Sequence, residues 1–143
     1  MNISQESDYA IRAIRSMYKI GESNKVEARV IAEREEIPIR FLFKILRKLC
    51  KAEIIRSFRG VNGGYLINKP LDTITLKDII EAIDGPITIN KCTEDSQSCN
   101  LCIRGCSLYK EMLSMESKIK KILSEKTIKQ ILEEDEKVTF IHK

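Results

Sequence analysis

The stretch that decides the fold is IPIRFLFKILRKLCKAEIIRSFRGVNGGYLI, residues 37–67. Proline at position 38 disfavours helical geometry in the residue before it but fits the first turn of a new helix. A helix is therefore expected from about Pro38 to Lys51. Its leucines and isoleucines recur every three or four residues, and the basic side chains lie largely off that apolar stripe. One face of this helix is expected in a core and the opposite face in solvent.

Two further helices are expected before this one. Val26 to Glu35 has helical spacing and ends where Glu36-Ile37-Pro38 interrupts the pattern. Ser7 to Ile20 is expected to form the first helix of the chain, with Gly21 as its stop. Two short helices around a tight turn, the second rich in cations, are typical of a helix-turn-helix. We call the helix from Pro38 to Lys51 the reading helix.

A β-hairpin is expected directly after the reading helix. Ile54 to Phe58 and Tyr65 to Ile67 are β-prone runs, and the segment between them, residues 59–64, contains three glycines. Glycine adopts the positive φ values that a hairpin turn demands, so the pattern predicts a two-stranded wing. Its tip presents Arg59 and Gly60, where a small residue lets the backbone approach a nucleic acid closely.

Helices are also expected in the second half of the sequence. One spans Leu76 to Ile83, and a longer amphipathic one spans Leu108 to Leu123. The longer helix would measure about 24 Å, which is long for so small a chain, and is expected to pack against a second copy of itself. A shorter helix, Thr127 to Glu134, and a charged tail close the sequence.

The fold class expected is mainly α with a small β-hairpin wing: a winged helix-turn-helix domain plus a long dimerisation helix. We divide the chain into a winged helix-turn-helix domain (1–86), a cysteine-rich loop (87–107), and a dimerisation helix with a C-terminal tail (108–143). The loop is expected to be irregular, because its polar, glycine-containing sequence has no helical period.

Positive charge is concentrated in the reading helix and wing. Eight basic residues and a single acid, Glu53, lie between Pro38 and Lys69, whereas the whole chain of 143 residues has a net charge of +4. Such a concentration is typical of a surface that contacts nucleic-acid phosphates, although charge alone is as often a solvated face. The candidate DNA contacts are Arg40, Lys44, Arg47, Lys48, Arg59 and Gly60.

Composition excludes some classes of protein. The sequence has no apolar run long enough to cross a bilayer and no leader-like amino terminus, so a soluble cytoplasmic protein without a membrane partner is expected. Its hydrophobic content, 43%, is enough for a core. Five cysteines without an export signal are expected to be reduced thiols or metal ligands rather than a disulfide framework.

Four cysteines fall within fifteen residues: Cys92, Cys99, Cys102 and Cys106. Several thiolates converging from one loop suit an iron–sulfur cluster, and they also suit structural zinc. Bare thiols acting as a redox switch are a third alternative. The fifth cysteine, Cys50, lies beside Leu49 on the apolar side of the reading helix and is expected in the core.

The sequence resembles the Rrf-type winged-helix regulators, the family of IscR, NsrR and CymR. The resemblance is carried by Ile37-Pro38, Phe41-Leu42, Lys44-Ile45-Leu46, Leu49, Lys51-Ala52, Ile54-Ile55, Ser57, Arg59-Gly60 and Gly63-Gly64-Tyr65-Leu66, and by Asp8-Tyr9-Ala10 and Cys92, Cys99 and Cys106. It implies a homodimeric transcription regulator, not an enzyme. It also implies that those three cysteines hold an iron–sulfur cluster, 2Fe-2S or 4Fe-4S, near the partner's first helix.

The chain departs from that family's pattern in three places. Tyr109 stands where IscR-type members have a ligating histidine, and the only histidine is His142 in the tail. Cys102 is an extra thiol, and Asp8 resembles the NsrR-type aspartate that completes the cluster across the dimer, so the fourth ligand is either the partner's Asp8 or Cys102 in the same chain. Asp8 also suits a helix start, where an acid is favoured. Phe43 replaces a glutamate that some members use in the reading helix.

The function that these observations predict is a DNA-binding regulator, most simply a repressor, whose operator affinity an iron–sulfur cluster controls. One alternative is a cluster-free regulator of the CymR kind that responds to thiol oxidation or to a metabolite. Others are a zinc-bound structural site and a small iron–sulfur electron carrier or enzyme. The basic reading helix and wing argue against the last of these. Of the two aromatic residues that begin the reading helix, Phe41 is expected in the core.

Overall fold

Apolar side chains at helical spacing produce a mainly helical chain with one small sheet. The computed structural model describes residues 2–141, apart from the side chains of residues 103, 136 and 138–141. Within that part, the elements are α1 (Gln5–Ile20), α2 (Ala28–Glu35), α3 (Ile39–Lys51), β1 (Ile55–Phe58), β2 (Gly64–Ile67), α4 (Leu76–Asp84), α5 (Lys91–Glu94), α6 (Asn100–Ile103), α7 (Ser107–Ser124) and α8 (Ile128–Ile141). The predicted fold class is confirmed in its helical content and its two-stranded antiparallel wing.

The core lies among α1, α2, α3 and α4. Each of these helices turns its aliphatic stripe inward, and α3 alone buries Leu42, Ile45, Leu46 and Leu49. A leucine or isoleucine buried in this way contributes about 2 kcal/mol to folding. Because the stripe of α3 is fixed in the core, its charged face is held outward.

The turn between α2 and α3 is set by local backbone chemistry. Helix α2 ends at Glu36, which adopts a left-handed conformation with φ of 53°, and Pro38 caps the start of α3. A left-handed residue is a common way to end a helix, and proline suits the start of the next. The α2–α3 pair is the helix-turn-helix that the sequence predicts.

The wing is tied to the segment before α2. Val26 and Tyr65 exchange two backbone hydrogen bonds, each of 2.8 Å, so Val26 joins the edge of the wing through one antiparallel β-bridge. The prediction that the second helix begins at Val26 was wrong, because this β-branched residue pairs with the sheet and the helix begins at Ala28. Gly64 makes the approach possible: its φ is 147°, and a Cβ there would lie 2.9 Å from the Val26 carbonyl oxygen.

Helix α8 folds back onto the winged domain. The Ile128 N–H donates to the Ile74 carbonyl at 2.7 Å, and Ile128 and Leu132 join the core. The helix continues to Ile141 rather than ending at Glu134, so part of the predicted charged tail is helical; His142 lies outside the described residues. The proposed segment 108–143 therefore includes a helix that packs against the proposed first domain.

The cysteine-rich loop of residues 87–107, called the cysteine-rich segment from here on, forms three short helical turns and is not irregular as predicted. These are α5, a 3₁₀ turn at Ser96–Ser98, and α6. Asn90 and Thr93 form a capping box at α5, and the Asp95 side chain accepts from the Gln97 N–H at the 3₁₀ turn. Local caps of this kind stabilise turns too short to show a hydrophobic period.

Within residues 2–141, no helix is long and apolar enough to cross a membrane.

Candidate functional site

The outer face of α3 presents basic side chains to solvent. Arg40, Lys44, Arg47 and Lys51 are exposed and lie opposite the buried stripe. Arg40 and Arg47 make no hydrogen bond or ion pair with any residue that the structure describes. Two uncompensated guanidinium groups about two turns apart on one helix form a surface suited to phosphates or to the edges of bases.

Two lysines of α3, Lys44 and Lys48, bind an acid of α1. The Nζ of Lys44 and of Lys48 lie 2.6 and 2.7 Å from the Glu6 carboxylate, and Lys48 also donates to the Ile83 carbonyl at 2.9 Å. These hydrogen bonds hold the pKa of Glu6 below its ordinary value. Lys48 therefore joins α3 to α1 and to the end of α4, a contact that the charge pattern of the sequence did not reveal.

Both phenylalanines at the start of α3 are exposed. Phe41 is 54% exposed and Phe43 is 45% exposed, so the prediction that Phe41 lies in the core was wrong. The helix turns this residue away from the stripe that begins at Leu42. Phe43 lines a groove of about 440 Å³ between the start of α2 and the wing, together with Phe58 and Tyr65.

The wing tip combines cation, glycine and open space. Arg59, Gly60 and Val61 are exposed, and Arg59 makes no ion pair within the described part of the chain. Gly60 has a φ of 98°, and a Cβ there would meet nothing within 4 Å. Lys25 and Arg56 stack their charges over the Phe58 ring at 4.4 and 5.5 Å from its centroid, which adds positive charge to this side.

A buried carboxylate joins α1 to the helix-turn-helix. Glu35, the last residue of α2, accepts from Arg15 at 2.7 Å and from Ser16 at 3.1 Å, and Arg12 binds both its carboxylate and its carbonyl. Burial opposes its ionisation, but the hydrogen bonds from Arg15 and Ser16 outweigh burial and lower its pKa. The sequence could have indicated this buried acid, because Glu35 follows Ala28 and Ile31 at helical spacing and so lies on the buried face of α2.

The four clustered cysteines lie within or at the start of the helices of the cysteine-rich segment and of α7. Cys92 lies in α5, Cys99 caps α6, Cys102 lies within α6 and Cys106 caps α7. All four are half-buried free thiols. The N–H groups of Leu101 and Cys102 donate to the Cys99 sulfur and lower its pKa.

The thiols influence one another electrostatically. Partial burial, a hydrogen bond with Cys99 and the negative charge of Cys99, Cys92 and Cys106 raise the pKa of Cys102 to about 11. These causes place Cys92, Cys99 and Cys106 within electrostatic reach of Cys102.

The chemistry of these donors fits a soft metal or an iron–sulfur cluster. Asn90 donates its side-chain amide to the Cys92 sulfur at 3.4 Å, and Cys99 accepts from backbone N–H groups. Such N–H···S bonds surround thiolate ligands in cluster sites and tune their potential. Within the described residues, no three or more histidine, cysteine, aspartate or glutamate side chains already surround a common metal position.

The remaining candidates take separate positions. Asp8 lies in the first turn of α1 with its side chain 57% exposed, and it pairs with Arg12 at 3.4 Å. That arrangement leaves its carboxylate accessible from outside the chain. Cys50 is half-buried against the core, where burial raises the pKa of its thiol, in keeping with the expected structural position. Tyr109, in the first turn of α7, is half-buried.

Comparison with known proteins gives a family match over most of the chain. The family described as "Rrf2: Iron-dependent Transcriptional regulator" matches residues 3–134. A Mycobacterium tuberculosis protein named as an HTH-type transcriptional regulator is 33% identical over 87 residues, which cover 61% of this chain and 54% of that protein. The chain thus spans about half the length of this relative. The IscR regulator of Vibrio campbellii is 26% identical over 138 residues, covering 95% of this chain and 80% of that protein.

Solved structures share the fold. CymR, described as the global cysteine regulator of B. subtilis, superposes with a TM-score of 0.69 at 25% identity, covering 93% of this chain and 97% of that one. IscR of T. potens superposes with a TM-score of 0.71 at 21% identity, covering 96% and 90%.

Proposed function

The chain belongs to the Rrf2 family of transcriptional regulators, and we propose that it binds a double-stranded DNA operator through α3 and the wing. The family match confirms the prediction of a transcriptional regulator rather than an enzyme. The observation that carries the proposal is the outward face of α3, where Arg40 and Arg47 are exposed without compensating acids in the described chain. Arg59 at the wing tip supplies a third such cation.

The contacts divide by position. Arg40, near the start of α3, and Lys44, one turn later, are proposed to reach base edges or phosphates, because the first turns of a reading helix enter the major groove. Arg47 is proposed to bind a phosphate. Lys48 is proposed to hold α3 against α1 and α4, so its contribution to DNA binding is chiefly positional. Gly60 allows the wing backbone to approach the duplex.

A homodimer is proposed from the unpartnered face of α7. Leu108, Met112, Met115, Ile119 and Ile122 are spaced alternately four and three residues apart, so they form one stripe along the helix. Leu108 is 70% exposed and Ile122 is 63% exposed. A heptad-like stripe of this kind packs against a second helix through knobs-into-holes contacts. A second copy of α7 would cover it and would set two reading helices about one DNA turn apart.

An iron–sulfur cluster is proposed at the cysteine-rich segment. Cys92, Cys99 and Cys106 would hold it, with either Cys102 or the partner's Asp8 as the fourth ligand. The exposed carboxylate of Asp8 supports the partner's Asp8 as this ligand. The electrostatic effect of the other three thiols on Cys102 supports Cys102. A bound cluster would supply redox and nitrosylation chemistry at this site. Such a regulator would work in the cytoplasm.

Control of DNA affinity is proposed to follow from a cluster that bridges two chains. Ligands from the cysteine-rich segment and from α1 of the partner would fix the relative position of the two winged domains. Repression is the simplest regulatory outcome, since a dimer on an operator blocks transcription. A coupling of about 1 to 3 kcal/mol between cluster and operator is typical of allosteric proteins.

A cluster-free thiol sensor is the second candidate. The lowered pKa of Cys99 favours it, because thiolate character is what makes a cysteine reactive towards oxidants. This candidate predicts operator binding that peroxide alters and iron leaves unchanged. A zinc-bound structural site would respond to neither.

The proposal is tested by anaerobic purification followed by visible absorption and by iron and sulfide analysis. Duplexes selected from a random-sequence library by binding to the protein then serve as operator. We expect a coloured protein containing both iron and sulfide and saturable binding to the selected DNA. A colourless, zinc-loaded protein would contradict the proposed iron–sulfur cluster. Failure to enrich any duplex from the library would contradict the proposed DNA binding.

A further inference from the structure

A buried carboxylate lies where the cysteine-rich segment meets α7. Glu116, in the middle of α7, is only 6% exposed, whereas the other side chains of this helix are exposed or half-buried. A charged side chain buried in this way is costly unless it is paired and hydrogen-bonded. The proposed DNA contacts and the proposed cluster ligands leave this residue without a role.

The partners of Glu116 come mainly from the start of the cysteine-rich segment. Its Oε2 accepts from the Ile89 N–H at 3.4 Å, and its Oε1 accepts from Lys120 Nζ at 3.0 Å. The Thr93 side chain also lies close enough to the carboxylate to lower its pKa. Burial opposes ionisation, but Thr93 and the bonds from Lys120 and Ile89 outweigh it and keep the pKa of Glu116 below its ordinary value.

Those partners lead directly to the first cysteine. Thr93 and Asn90 form the capping box of α5, with Thr93 Oγ1 donating to the Asn90 carbonyl at 2.8 Å. The Asn90 side chain in turn donates to the Cys92 sulfur at 3.4 Å. Glu116 therefore binds the backbone at Ile89, directly before Asn90, and the side chain of Asn90 binds the Cys92 sulfur.

We infer that Glu116 is a positioning residue for Cys92: it fixes α5 to α7 and so presents this thiol in one orientation before any cofactor binds. The inference rests on the proposed use of Cys92 as a ligand. Since α7 also carries the stripe proposed to meet a second copy, Glu116 links the first cysteine to the dimerisation helix. The three later cysteines have no such bond to the middle of α7 in the described residues.

The test compares Glu116→Ala and Glu116→Gln with Glu111→Gln in the metal-free, reduced 143-residue chain. Glu111 lies on the same helix, is exposed, and makes no hydrogen bond or ion pair within the described chain. Amide hydrogen exchange over residues 89–95 and alkylation of each cysteine by iodoacetamide are followed by mass spectrometry. The rates for Cys92 are referred to Cys50 in the same molecule, which corrects for any change in global stability.

Loss of a charge-assisted hydrogen-bond partner should speed exchange over residues 89–95 and alkylation of Cys92 about tenfold in Glu116→Ala. Glu116→Gln should rescue part of this protection, because its amide oxygen still accepts a bond, and Glu111→Gln should match wild type. Cys92 and Cys50 accelerating equally, or no change at residues 89–95, would overturn the inference.

Thr93→Val provides a second variant that removes one hydroxyl and keeps the shape of the side chain. It should also speed the alkylation of Cys92. In the double variant with Glu116→Ala, this rate should be little higher than in Glu116→Ala alone, as expected for residues in one network. Full additivity would contradict the network. These readouts use metal-free protein, so they are independent of the cluster. If the wild-type protein is colourless but Cys92 is protected, the proposed cluster is contradicted and the inference about Glu116 is supported. If the protein is coloured but Glu116→Ala behaves as wild type, the inference is contradicted and the cluster is supported.

Discussion

Single side chains decide how the helix-turn-helix is held to the rest of the molecule. Glu35 binds Arg12, Arg15 and Ser16 of α1 from the last position of α2, directly before the left-handed residue that makes the turn. The fixed orientation of α3 therefore depends on an ionised carboxylate as well as on the apolar core. Removing one partner of such a pair leaves the other charge half-buried and unpaired.

Glu35→Gln should lower the free energy of unfolding at pH 7 by about 2 kcal/mol. The neutral amide cannot replace the charged hydrogen bonds that the carboxylate accepts from Arg12 and Arg15. The folded-state pKa of Glu35 is below its ordinary value of 4.5, so its stabilisation is present above that pH and is lost as the pH falls further. The gap between wild type and variant should therefore narrow below pH 4.5. Urea unfolding at pH 7 and at lower pH values measures this, and a gap that is constant with pH would contradict the linkage.

Arg47 and Lys48 are neighbours with different surroundings, so their substitutions should differ. Arg47→Ala should leave stability within about 0.5 kcal/mol of wild type and lower the salt dependence of DNA binding, because an exposed cation is lost. Lys48→Ala should reduce stability, since its bonds to Glu6 and to the Ile83 carbonyl disappear. Thermal unfolding and binding at several salt concentrations distinguish the two. Identical behaviour of both variants would contradict the assignment of Lys48 to a structural contact.

Among the elements, those with a strong repeating pattern were predictable and those fixed by a single contact were not. The aliphatic stripe of α3 and the glycines of the wing predicted both elements, because period and turn chemistry are local properties. The pairing of Val26 with Tyr65 depends on two distant segments meeting, and the turns of the cysteine-rich segment depend on caps. Neither produces a hydrophobic period.

The same distinction applies to the site. The charge pattern identified Arg40 and Arg47 as exposed cations and the spacing identified the cysteines as a group. It did not reveal that Lys44 and Lys48 share Glu6, because an ion pair across 38 or 42 residues has no signature in one sequence. Phe41 was misplaced because an aromatic residue beside an apolar stripe has the same sequence pattern whether it is buried or exposed.

The contribution of the wing to DNA binding can be measured separately from that of α3 by changing one exposed residue at its tip. Arg59→Ala should weaken binding to all duplexes to a similar extent and flatten the slope of log affinity against log salt by about one unit. The physical reason is the loss of one phosphate contact and of the counterions it displaces. Lys121→Ala, an exposed cation on α7, is the matched control and should leave the slope unchanged. An unaltered slope in Arg59→Ala would remove the wing tip from the interface.

For the molecule as a whole, the exposed stripe of α7 should determine assembly. Ile122→Glu places a charge on the proposed contact and should convert a dimer to a monomer in analytical ultracentrifugation. DNA affinity should fall with it, since two half-sites are no longer bound together. Lys121→Glu introduces the same side chain next to it but off the stripe, and should leave the dimer intact. A monomeric wild type would contradict the proposed dimer.

The central claim, that a cluster on the cysteine-rich segment sets the affinity of the winged domains for DNA, is tested most directly by one comparison. Protein purified without oxygen is divided, the iron is removed from one half with a chelator, and both halves are titrated against the same selected duplex at one salt concentration. We predict dissociation constants that differ by about 5- to 150-fold between the two halves. Equal dissociation constants, with the iron content of the two samples verified, would contradict the claim.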